Sequence, residues 1–320
     1  MLAPRFAVQM LSVGMIVFAA GVVSGQSYPE KPTRVYSPQV GTSPDVVLRL
    51  IAEAVAGNLG QRMIVESRGI IGVEVAAQAL PDGYTLLHYS NVLWLMPLFR
   101  DNVRWDPVRD FSPITQTLTS PNVLVVHPSV PVSTAKELIA FAKARPGQLN
   151  YGSSSTGAGN HVAAELFKAM AGVDIARISY KGAGTAVIDL LAGQLHLMFP
   201  AAGSVMPHVK SGKLRALAVT SAKPSALVPG LPPLAASGLP AYESSSVAGL
   251  FAPAGTPEAI INRVNQEVVR VLNRTEIKKR LFTAGIEAIG SSPAELAGTI
   301  KSEMGTMEKV IKVAGLREKG

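Results

Sequence analysis

The sequence predicts an α/β fold built from two lobes. Short apolar segments alternate with amphipathic helical patterns along the chain, which favours mostly parallel sheets with helices on both faces. There are more strand–helix units than one small sheet would hold, and two extended segments, residues 122–127 and 247–252, could carry the chain between lobes. The first lobe is therefore predicted to comprise residues 28–127 and 247–320, and the second lobe residues 128–246.

The first 27 residues are predicted to be a secretory leader that is removed. Arg5 is the only charged residue of this segment, residues 6–23 form an apolar run, and Gly25-Gln26-Ser27 has the small-x-small pattern of a cleavage site. The alternative is a membrane anchor, because the apolar run is near the lower length limit for spanning a bilayer. Cleavage after Ser27 would leave 293 of the 320 residues, in the periplasm of a bacterium.

Composition narrows the classes of function. Hydrophobic residues make up 48% of the chain and charged residues 16%, so the protein can bury a core. The absence of cysteine excludes disulfides, thiol chemistry and a lipoprotein leader. The net charge is +8, or +7 without Arg5, which favours anionic partners. Nucleic acid is not an expected partner, because the protein is predicted to be exported and its basic residues do not cluster; the densest run, Lys278-Lys279-Arg280, is predicted to be a solvated helix face.

The first predicted strand, residues 34–37, leads into a helix. Ser43-Pro44-Asp45 marks the helix start with a cap residue, a proline at the first helical position and an acid in the first turn. Apolar residues then recur at helical spacing over residues 46–55. The next predicted elements in chain order are a strand at 62–66, a helix at 73–80, strands at 84–88 and 122–127, and a helix that runs from a capping box at Ser133, Thr134 and Glu137 to residue 144.

The rest of the chain repeats this alternation. Residues 224–240 are rich in proline and small residues and are predicted to be a loop, while Thr256-Pro257-Glu258 and Ser292-Pro293-Ala294-Glu295 are predicted helix starts. The remaining predicted strands are 149–151, 176–180, 195–199, 214–220 and 247–252, and the remaining predicted helices are 161–170, 185–192, 206–211, one from 257 to about 272 and one from 293 towards the C-terminus.

Four loops that follow strands are candidate ligand-binding loops, because ligands of open α/β sheets lie at the carboxyl ends of strands. The strongest candidate is residues 151–160, ten small or polar residues before a helix, whose free backbone N–H groups would suit a carboxylate or phosphate. The alternative is an ordinary flexible turn. A β-branched residue at Gly152 or Gly157 is predicted to abolish ligand binding without unfolding the protein. The other three candidate loops are residues 38–43, 90–91 and 180–184.

Catalytic patterns are not found in the sequence. There is no G-x-S-x-G elbow and no P-loop, and Gly157-Ala158-Gly159 lacks the third glycine at the spacing of a dinucleotide-binding loop. The five histidines are scattered, with no H-x-x-x-H pair. Backbone donors and hydroxyls without a nucleophile–base pair form a binding site, so no catalytic residue, metal or cofactor is predicted.

Seven stretches spread over the chain carry a resemblance to a known family. They are Tyr28-Pro29-Glu30-Lys31-Pro32, Pro81-Asp82-Gly83-Tyr84-Thr85-Leu86-Leu87, Trp105-Asp106-Pro107-Val108-Arg109-Asp110-Phe111, Asn150-Tyr151-Gly152-Ser153-Ser154, Tyr180-Lys181-Gly182-Ala183-Gly184, Gly212-Lys213-Leu214-Arg215-Ala216-Leu217-Ala218-Val219-Thr220 and Ala252-Pro253-Ala254-Gly255-Thr256-Pro257. In these motifs and their order the chain resembles the extracytoplasmic solute receptors of tripartite tricarboxylate transporters, the Bug-type receptors. The resemblance implies a two-lobed periplasmic-binding-protein fold of type II with two hinge crossings and a ligand cleft between the lobes. It also implies a monomer without enzymatic activity that delivers a small carboxylate to membrane permease subunits.

The resemblance places the binding residues in the four candidate loops and at the end of one further strand. They are Pro38, Gln39, Val40, Gly41, Thr42, Asp45, Ser90, Asn91, Ser153, Ser154, Ser155, Thr156, Gly157, Asn160, His161, Tyr180, Lys181, Gly182, Phe199 and Pro200.

Three departures from the family pattern bear on the choice of ligand. Pro200 stands where the family usually has an aspartate, Val247 and Ala248 stand where it often has two aromatic residues, and residues 39–42 replace its run of one proline and two glycines. Without that aspartate, the best partner for a ligand ammonium is missing. The expected ligand is therefore a carboxylate without an amino group, bulky and aromatic acids included. Two alternatives stay open: an exported α/β enzyme acting on a small organic acid, and a receptor that feeds a sensor kinase.

Overall fold

The computed structural model of the protein describes residues 28–314 and 316–317, so the predicted leader lies outside the described residues. The strands are β1 (Thr33–Ser37), β2 (Met63–Ser67), β3 (Thr85–Ser90), β4 (Phe111–Pro121), β5 (Val123–Val126), β6 (Asn150–Ser153), β7 (Ala176–Ser179), β8 (Leu197–Met198), β9 (Arg215–Val219), β10 (Ser245–Pro253) and β11 (Glu287–Ala288). The helices are α1 (Ser43–Leu59), α2 (Ile70–Ala77), α3 (Val92–Phe99), α4 (Ala135–Lys143), α5 (Gly159–Ala171), α6 (Ala183–Leu191), α7 (Ala202–Lys210), α8 (Glu258–Leu272), α9 (Thr275–Thr283) and α10 (Pro293–Ala314).

Two sheets organise these elements. The first has the strand order β11-β4-β10-β3-β1-β2, and the second has the order β7-β6-β8-β5-β9. In the first sheet β1 runs parallel to β2 and β3, while β10 runs antiparallel to both β3 and β4. In the second sheet β6 runs parallel to β7 and β8, while β5 runs antiparallel to both β8 and β9. In each sheet, one strand runs antiparallel to both of its neighbours and separates three parallel strands from a fourth: β10 in the first sheet and β5 in the second. The predicted two-lobed α/β fold is confirmed.

The chain crosses between the sheets near the two predicted segments, but the boundaries shift. Residues 123–126 were assigned to the first lobe from sequence; as β5 they pair with β8 and β9 of the second sheet. Ser245 and Ser246, assigned to the second lobe, pair with β4 and belong to the first sheet. The reason is that all four residues of β5 are buried, so their uniformly apolar pattern does not indicate which sheet they join.

Three elements of the first lobe, α3, β4 and β11, were not predicted. Helix α3 is apolar on every side because it is buried, with Leu93, Trp94 and Phe99 fully inaccessible, and it contains Pro97. Such a helix has no amphipathic period to detect. The pairing of β4 with β10 contains two register shifts, which break the two-residue alternation expected of a strand.

The apolar core continues from one lobe into the other. Its largest cluster includes Trp94 and Phe251 of the first lobe together with Tyr151 and Phe167 of the second. The C-terminal helix α10 packs on β4 and α3 of the first lobe and on α5 of the second. Two further clusters lie under α1 and α8 and under α6 and α7. Over the described part of the chain, no helix combines the length and the apolarity that crossing a bilayer requires.

Candidate ligand-binding site

The strand ends that carry the predicted loops are turned towards the two chain crossings. In the first lobe, the backbone N–H of Asn91, which follows β3, donates to the carbonyl of Val247 near the start of β10, at 2.9 Å. In the second lobe, the N–H of Val123 at the start of β5 donates to the carbonyl of Pro200, just after β8, also at 2.9 Å. Because β5 and β10 both begin at the crossings, the carboxyl edges of the two sheets face each other.

The loop between β6 and α5 reaches the first lobe. Gly157 has a φ of +82°, and a Cβ at this position would lie 3.0 Å from the backbone nitrogen of Met96 in α3. A Cβ on Gly159 would lie 2.1 Å from Ser246 Oγ in β10. Only residues without a side chain allow these approaches, so the two glycines bring the N-terminus of α5 against α3 and the crossing strand.

Arg177 on β7 anchors the same loop. Its Nε donates to Ser153 Oγ at 2.8 Å, its Nη1 to Thr156 Oγ1 at 3.2 Å and its Nη2 to the carbonyl of Ser154 at 3.1 Å. Arg100, which follows α3, donates to the same Thr156 Oγ1 at 3.4 Å. Guanidinium groups from both lobes therefore meet at Thr156, and their charge favours an anion at this end of α5.

His161 is held neutral beside these cations. Its Nδ1 accepts a hydrogen bond from the N–H of Gly157 at 3.1 Å. Burial, together with the nearby charges of Arg177, Lys168 and Arg100, holds the pKa of His161 well below its usual value of 6.5. A neutral, buried imidazole that accepts from the loop backbone is a structural support of the loop.

The protein is expected to lose stability as the pH falls below about 6.5. Burial also lowers the pKa of His88, to about 3. The unfolded chain therefore takes up protons at His88 and His161 that the folded chain does not, which lowers the free energy of unfolding at acid pH. Urea unfolding at pH 7 and pH 5 measures the loss, and ¹⁵N shifts of the imidazoles identify its source. An imidazolium signal for His161 at pH 6 in the folded protein would contradict this explanation.

The loop between β1 and α1 is closed by Asp45, which is 1% exposed. Its carboxylate accepts hydrogen bonds of 2.8–3.1 Å from Ser37 Oγ, Ser67 Oγ, the N–H of Gly41, and Nε and Nη2 of Arg49. Burial alone would raise the pKa of Asp45, but these hydrogen bonds lower it to about 2. Because both carboxylate oxygens are used within the loop, Asp45 shapes the loop rather than offering a free charge.

The tip of this loop and the loop after β7 are accessible. Val40 is 74% exposed, and Lys181 is exposed as well. The space around Gly182 is open, with no atom within 4 Å of the position that a Cβ would take. In the loop after β7, the side chain of Tyr180 is fixed in place, because its hydroxyl donates to Asp189 Oδ2 at 2.7 Å. These two loops offer main chain and side chains on the surface, whereas the loop between β6 and α5 is largely buried.

Two buried amides lie at the crossings. Asn122, between β4 and β5, accepts a hydrogen bond from Ser246 Oγ at 3.3 Å, and its Nδ2 has no partner among the described residues. Asn91 is equally inaccessible, and within the same part of the chain its Oδ1 is unpartnered. Buried polar groups are nearly always hydrogen-bonded. The unpartnered Nδ2 of Asn122 and Oδ1 of Asn91 therefore indicate that a polar group binds at the crossings.

The structure brings together one part of the predicted site. Asn91, the start of α5 and Pro200 meet at the crossings, whereas residues 38–42 and 180–182 follow β1 and β7, which lie farther from the reversed strands. Phe199 is a core residue that packs on Phe167 with 5.5 Å between ring centroids. The side chains that sequence reasoning missed are Arg100, Asn122, Arg177 and Ser246.

Of these four, Arg177 carried no distinctive signal, because its strand β7 is a short and mostly exposed edge strand in which a charged residue is ordinary. The other three are recognisable only once the two lobes are placed together. In the described residues, no group of three or more His, Asp or Glu side chains is arranged to hold a metal ion.

Comparison with known proteins identifies the family to which this chain belongs. The sequence profile described as "Tripartite tricarboxylate transporter family receptor" matches residues 47–316. Protein BugT of Bordetella pertussis is 32% identical over 321 residues, which cover 96% of this chain and 97% of BugT.

Solved structures resemble the whole described fold. The R. palustris protein Rpa4515 with adipate matches with a TM-score of 0.81 and 32% identity, covering 90% of this chain and 98% of that one. MatC from Rhodopseudomonas palustris with bound malate matches with a TM-score of 0.76 and 26% identity, covering 89% of this chain and 100% of that one.

Proposed function

This chain belongs to the family of tripartite tricarboxylate transporter receptors, and we propose that it is a periplasmic receptor that binds a small carboxylate between its two lobes. The observation that carries the proposal is the convergence of both carboxyl edges on the crossings, where Asn91 N–H bonds Val247 and Val123 N–H bonds Pro200. In open α/β sheets this edge is where ligands bind.

The chemistry at this edge suits an anion. The N-terminus of α5 presents backbone N–H groups and the positive end of a helix dipole, and Arg100 and Arg177 meet beside it at Thr156. Adipate and malate, named with the two structural relatives, are both dicarboxylates without an amino group. A ligand of this kind would place one carboxylate at α5 and extend towards the loops of the first lobe.

An ammonium group on the ligand would find no acidic partner in the predicted loops. Asp45 is the single carboxylate among the predicted site residues, and its oxygens already accept hydrogen bonds from Arg49 and from the loop itself. Pro200, at the position where the resemblance leads one to expect an aspartate, contributes only its carbonyl, which Val123 occupies. The proposed ligand class is therefore carboxylates without an amino group.

The proposed cycle is capture, closure and delivery. The two strands that cross between the lobes, at Asn122 and at Ser245, would act as the hinge, and closure would bring the exposed loops onto the ligand. The receptor would then deliver the acid to membrane permease subunits. No group in this scheme transforms the ligand, so the proposal is a receptor and not an enzyme.

Binding is expected to raise the melting temperature of the mature protein. A ligand at 100 times its Kd adds about 2.7 kcal/mol to the free energy of unfolding, and each kcal/mol raises Tm by roughly 2–4 °C in a chain of this size. Differential scanning fluorimetry with adipate, malate and benzoate measures the effect. At least one of these acids is expected to shift Tm by several degrees.

Two control compounds define the specificity. Adipamide keeps the length of adipate but lacks its charge, and aspartate adds an amino group to a dicarboxylate; neither is expected to shift Tm. Flat melts with all three acids would contradict the receptor proposal, and a shift with aspartate alone would contradict the proposed ligand class.

A further inference from the structure

Asn122 is a buried residue at the first crossing whose side-chain amide is only half used. The residue is 1% exposed. Its Oδ1 accepts a hydrogen bond from Ser246 Oγ at 3.3 Å, whereas its Nδ2 has no partner in the part of the chain that the structure describes. Because a buried donor is nearly always satisfied in a folded protein, we expect Nδ2 to meet an acceptor that these residues do not supply.

The main chain of Asn122 is fixed by the second lobe. Its N–H donates to Thr220 Oγ1 at 2.8 Å, and its carbonyl accepts from the N–H and from Oγ1 of Thr220, both at 3.0 Å. Asn122 also forms an isolated β-bridge with Ala201, which lies between β8 and α7. Thr220 follows β9 and is fully buried. The backbone that carries the amide therefore keeps its place in the second lobe when the lobes move.

The start of α5, which also belongs to the second lobe, lies beside this amide. A Cβ on Gly159, the first residue of α5, would lie 2.1 Å from Ser246 Oγ, the same hydroxyl that donates to Asn122. A single hydroxyl group thus separates Asn122 from the first turn of α5. The first N–H groups of a helix have no partner within the helix, and the N-cap residue Ala158 provides no side-chain hydrogen bond. Backbone donors of α5 and the side-chain donor of Asn122 are therefore found at the same crossing.

The charge at this crossing favours an anionic acceptor. Arg177 and Arg100 donate to Thr156 Oγ1, in the loop before α5, at 3.2 and 3.4 Å. The positive end of the helix dipole lies at the same end of α5. A carboxylate oxygen is therefore the acceptor that best suits Nδ2 of Asn122.

We propose that Asn122 is a ligand-binding residue whose Nδ2 donates a hydrogen bond to the carboxylate held at the start of α5. The inference rests on the proposed function and deepens it, because it adds a side-chain donor to the backbone N–H groups of the helix. A carboxylate has two oxygens and about four acceptor positions, so it can accept from the helix and from Asn122 at once. All of these donors belong to the second lobe, so their arrangement does not depend on closure.

The test compares Asn122→Asp with Asn262→Asp, which makes the same change on the exposed face of α8. Aspartate has the size of asparagine and can still accept from Ser246, but it presents an oxygen to the ligand where asparagine presents an NH₂ group. The probe is whichever of adipate, malate and benzoate shifts Tm most, and Kd is measured by calorimetry at pH 8. Asn122→Asp is expected to weaken binding by about 100-fold, because one donor is lost and two like charges are brought together. Asn262→Asp is expected to bind as the wild type does.

Two further measurements separate direct contact from a structural effect. Asn122→Ala removes the donor without adding a charge, and it is expected to weaken binding by about tenfold, the loss of one good hydrogen bond. Urea unfolding reports its effect on folding separately. In the wild type, ¹H–¹⁵N spectra follow the two Nδ2 protons of Asn122, and at least one of them is expected to move downfield when the acid binds.

Equal Kd values for Asn122→Ala and the wild type overturn the inference; this is the result expected if an ordered water is the partner of Nδ2. Nδ2 resonances that do not move on binding overturn it too, and they decide the question if neither Asn122 variant folds. In both cases the wild type still binds an acid, so the proposed function stands. Failure of the wild type to bind any of the three acids refutes the proposed function itself, and the inference with it.

Discussion

Replacing Gly159 by valine is expected to weaken carboxylate binding by about 100-fold or more. A Cβ at this position would lie 2.1 Å from Ser246 Oγ and 3.0 Å from Ser246 Cβ, so α5 must move away from β10. The backbone N–H groups at the start of α5 would then no longer reach a carboxylate held at the crossings. The loss of two hydrogen bonds to a charged group, each worth about 1.5–3 kcal/mol, corresponds to that drop in affinity.

The matched control is Gly57→Val, in the interior of α1, where no atom lies within 4 Å of a new Cβ. Both variants place valine in a helix, and both are expected to fold; Gly159→Val is expected to lose an additional 1–3 kcal/mol or so from overpacking. Calorimetry gives Kd, and urea unfolding gives the stability. If Gly159→Val binds as tightly as Gly57→Val, the start of α5 is not part of the binding site.

Asp45→Ala is expected to lower the free energy of unfolding by about 2–4 kcal/mol. The substitution removes the acceptor shared by Ser37, Ser67 and the N–H of Gly41. Ser37 is fully buried, and an unsatisfied buried group costs about 1–3 kcal/mol; the partly exposed Ser67 and the exposed Gly41 add less. Arg49 is half exposed, so water takes over part of its hydrogen bonding and its share is small. The loop tip at residues 38–42 is expected to lose its conformation, which weakens ligand binding as well.

The pH dependence identifies the carboxylate as the cause. The pKa of Asp45 is about 2 in the folded protein against a usual value of 3.8, so its contribution to stability is present above about pH 4 and is lost as the pH falls towards 2. Urea unfolding at pH 7 and pH 3, with Glu53→Ala on the exposed face of α1 as the control, measures it. A loss of stability for Asp45→Ala no larger than that of Glu53→Ala would show that the hydrogen-bond network of the loop is unimportant.

Sequence reasoning located the strand–helix units where helix starts and apolar periods coincide. The start of α1 is an example, since Pro44 and Asp45 lie in its first turn, although the N-cap is Thr42, one residue before the predicted cap Ser43. The same reasoning missed α3, whose apolar residues surround the helix because it is buried between α10 and the sheet. Burial on every side removes the pattern on which such predictions depend.

For the candidate site, sequence reasoning found the loops but not their roles. Residues 151–160 do lie at a strand–helix junction, yet Gly152 faces the core of the second lobe, where a Cβ would lie 2.4 Å from Leu195 Cδ1. A β-branched residue there is expected to destabilise the lobe and not to act on binding alone. The contact between Trp94 and Glu303 joins residues 209 positions apart, and no local pattern encodes such a pair.

The position of β10 between β3 and β4 has a consequence for the maturation of the nascent chain. The ribosome makes all of the second sheet, β5 to β9, after β4 and before β10. The second lobe can therefore complete its sheet before the first lobe does, while β3 and β4 still expose unpaired edges that invite aggregation. Polypeptides that stop before Pro253 lack a complete β10 and cannot pair the facing edges of β3 and β4. Truncated or stalled forms are therefore expected to be insoluble and to depend on chaperones.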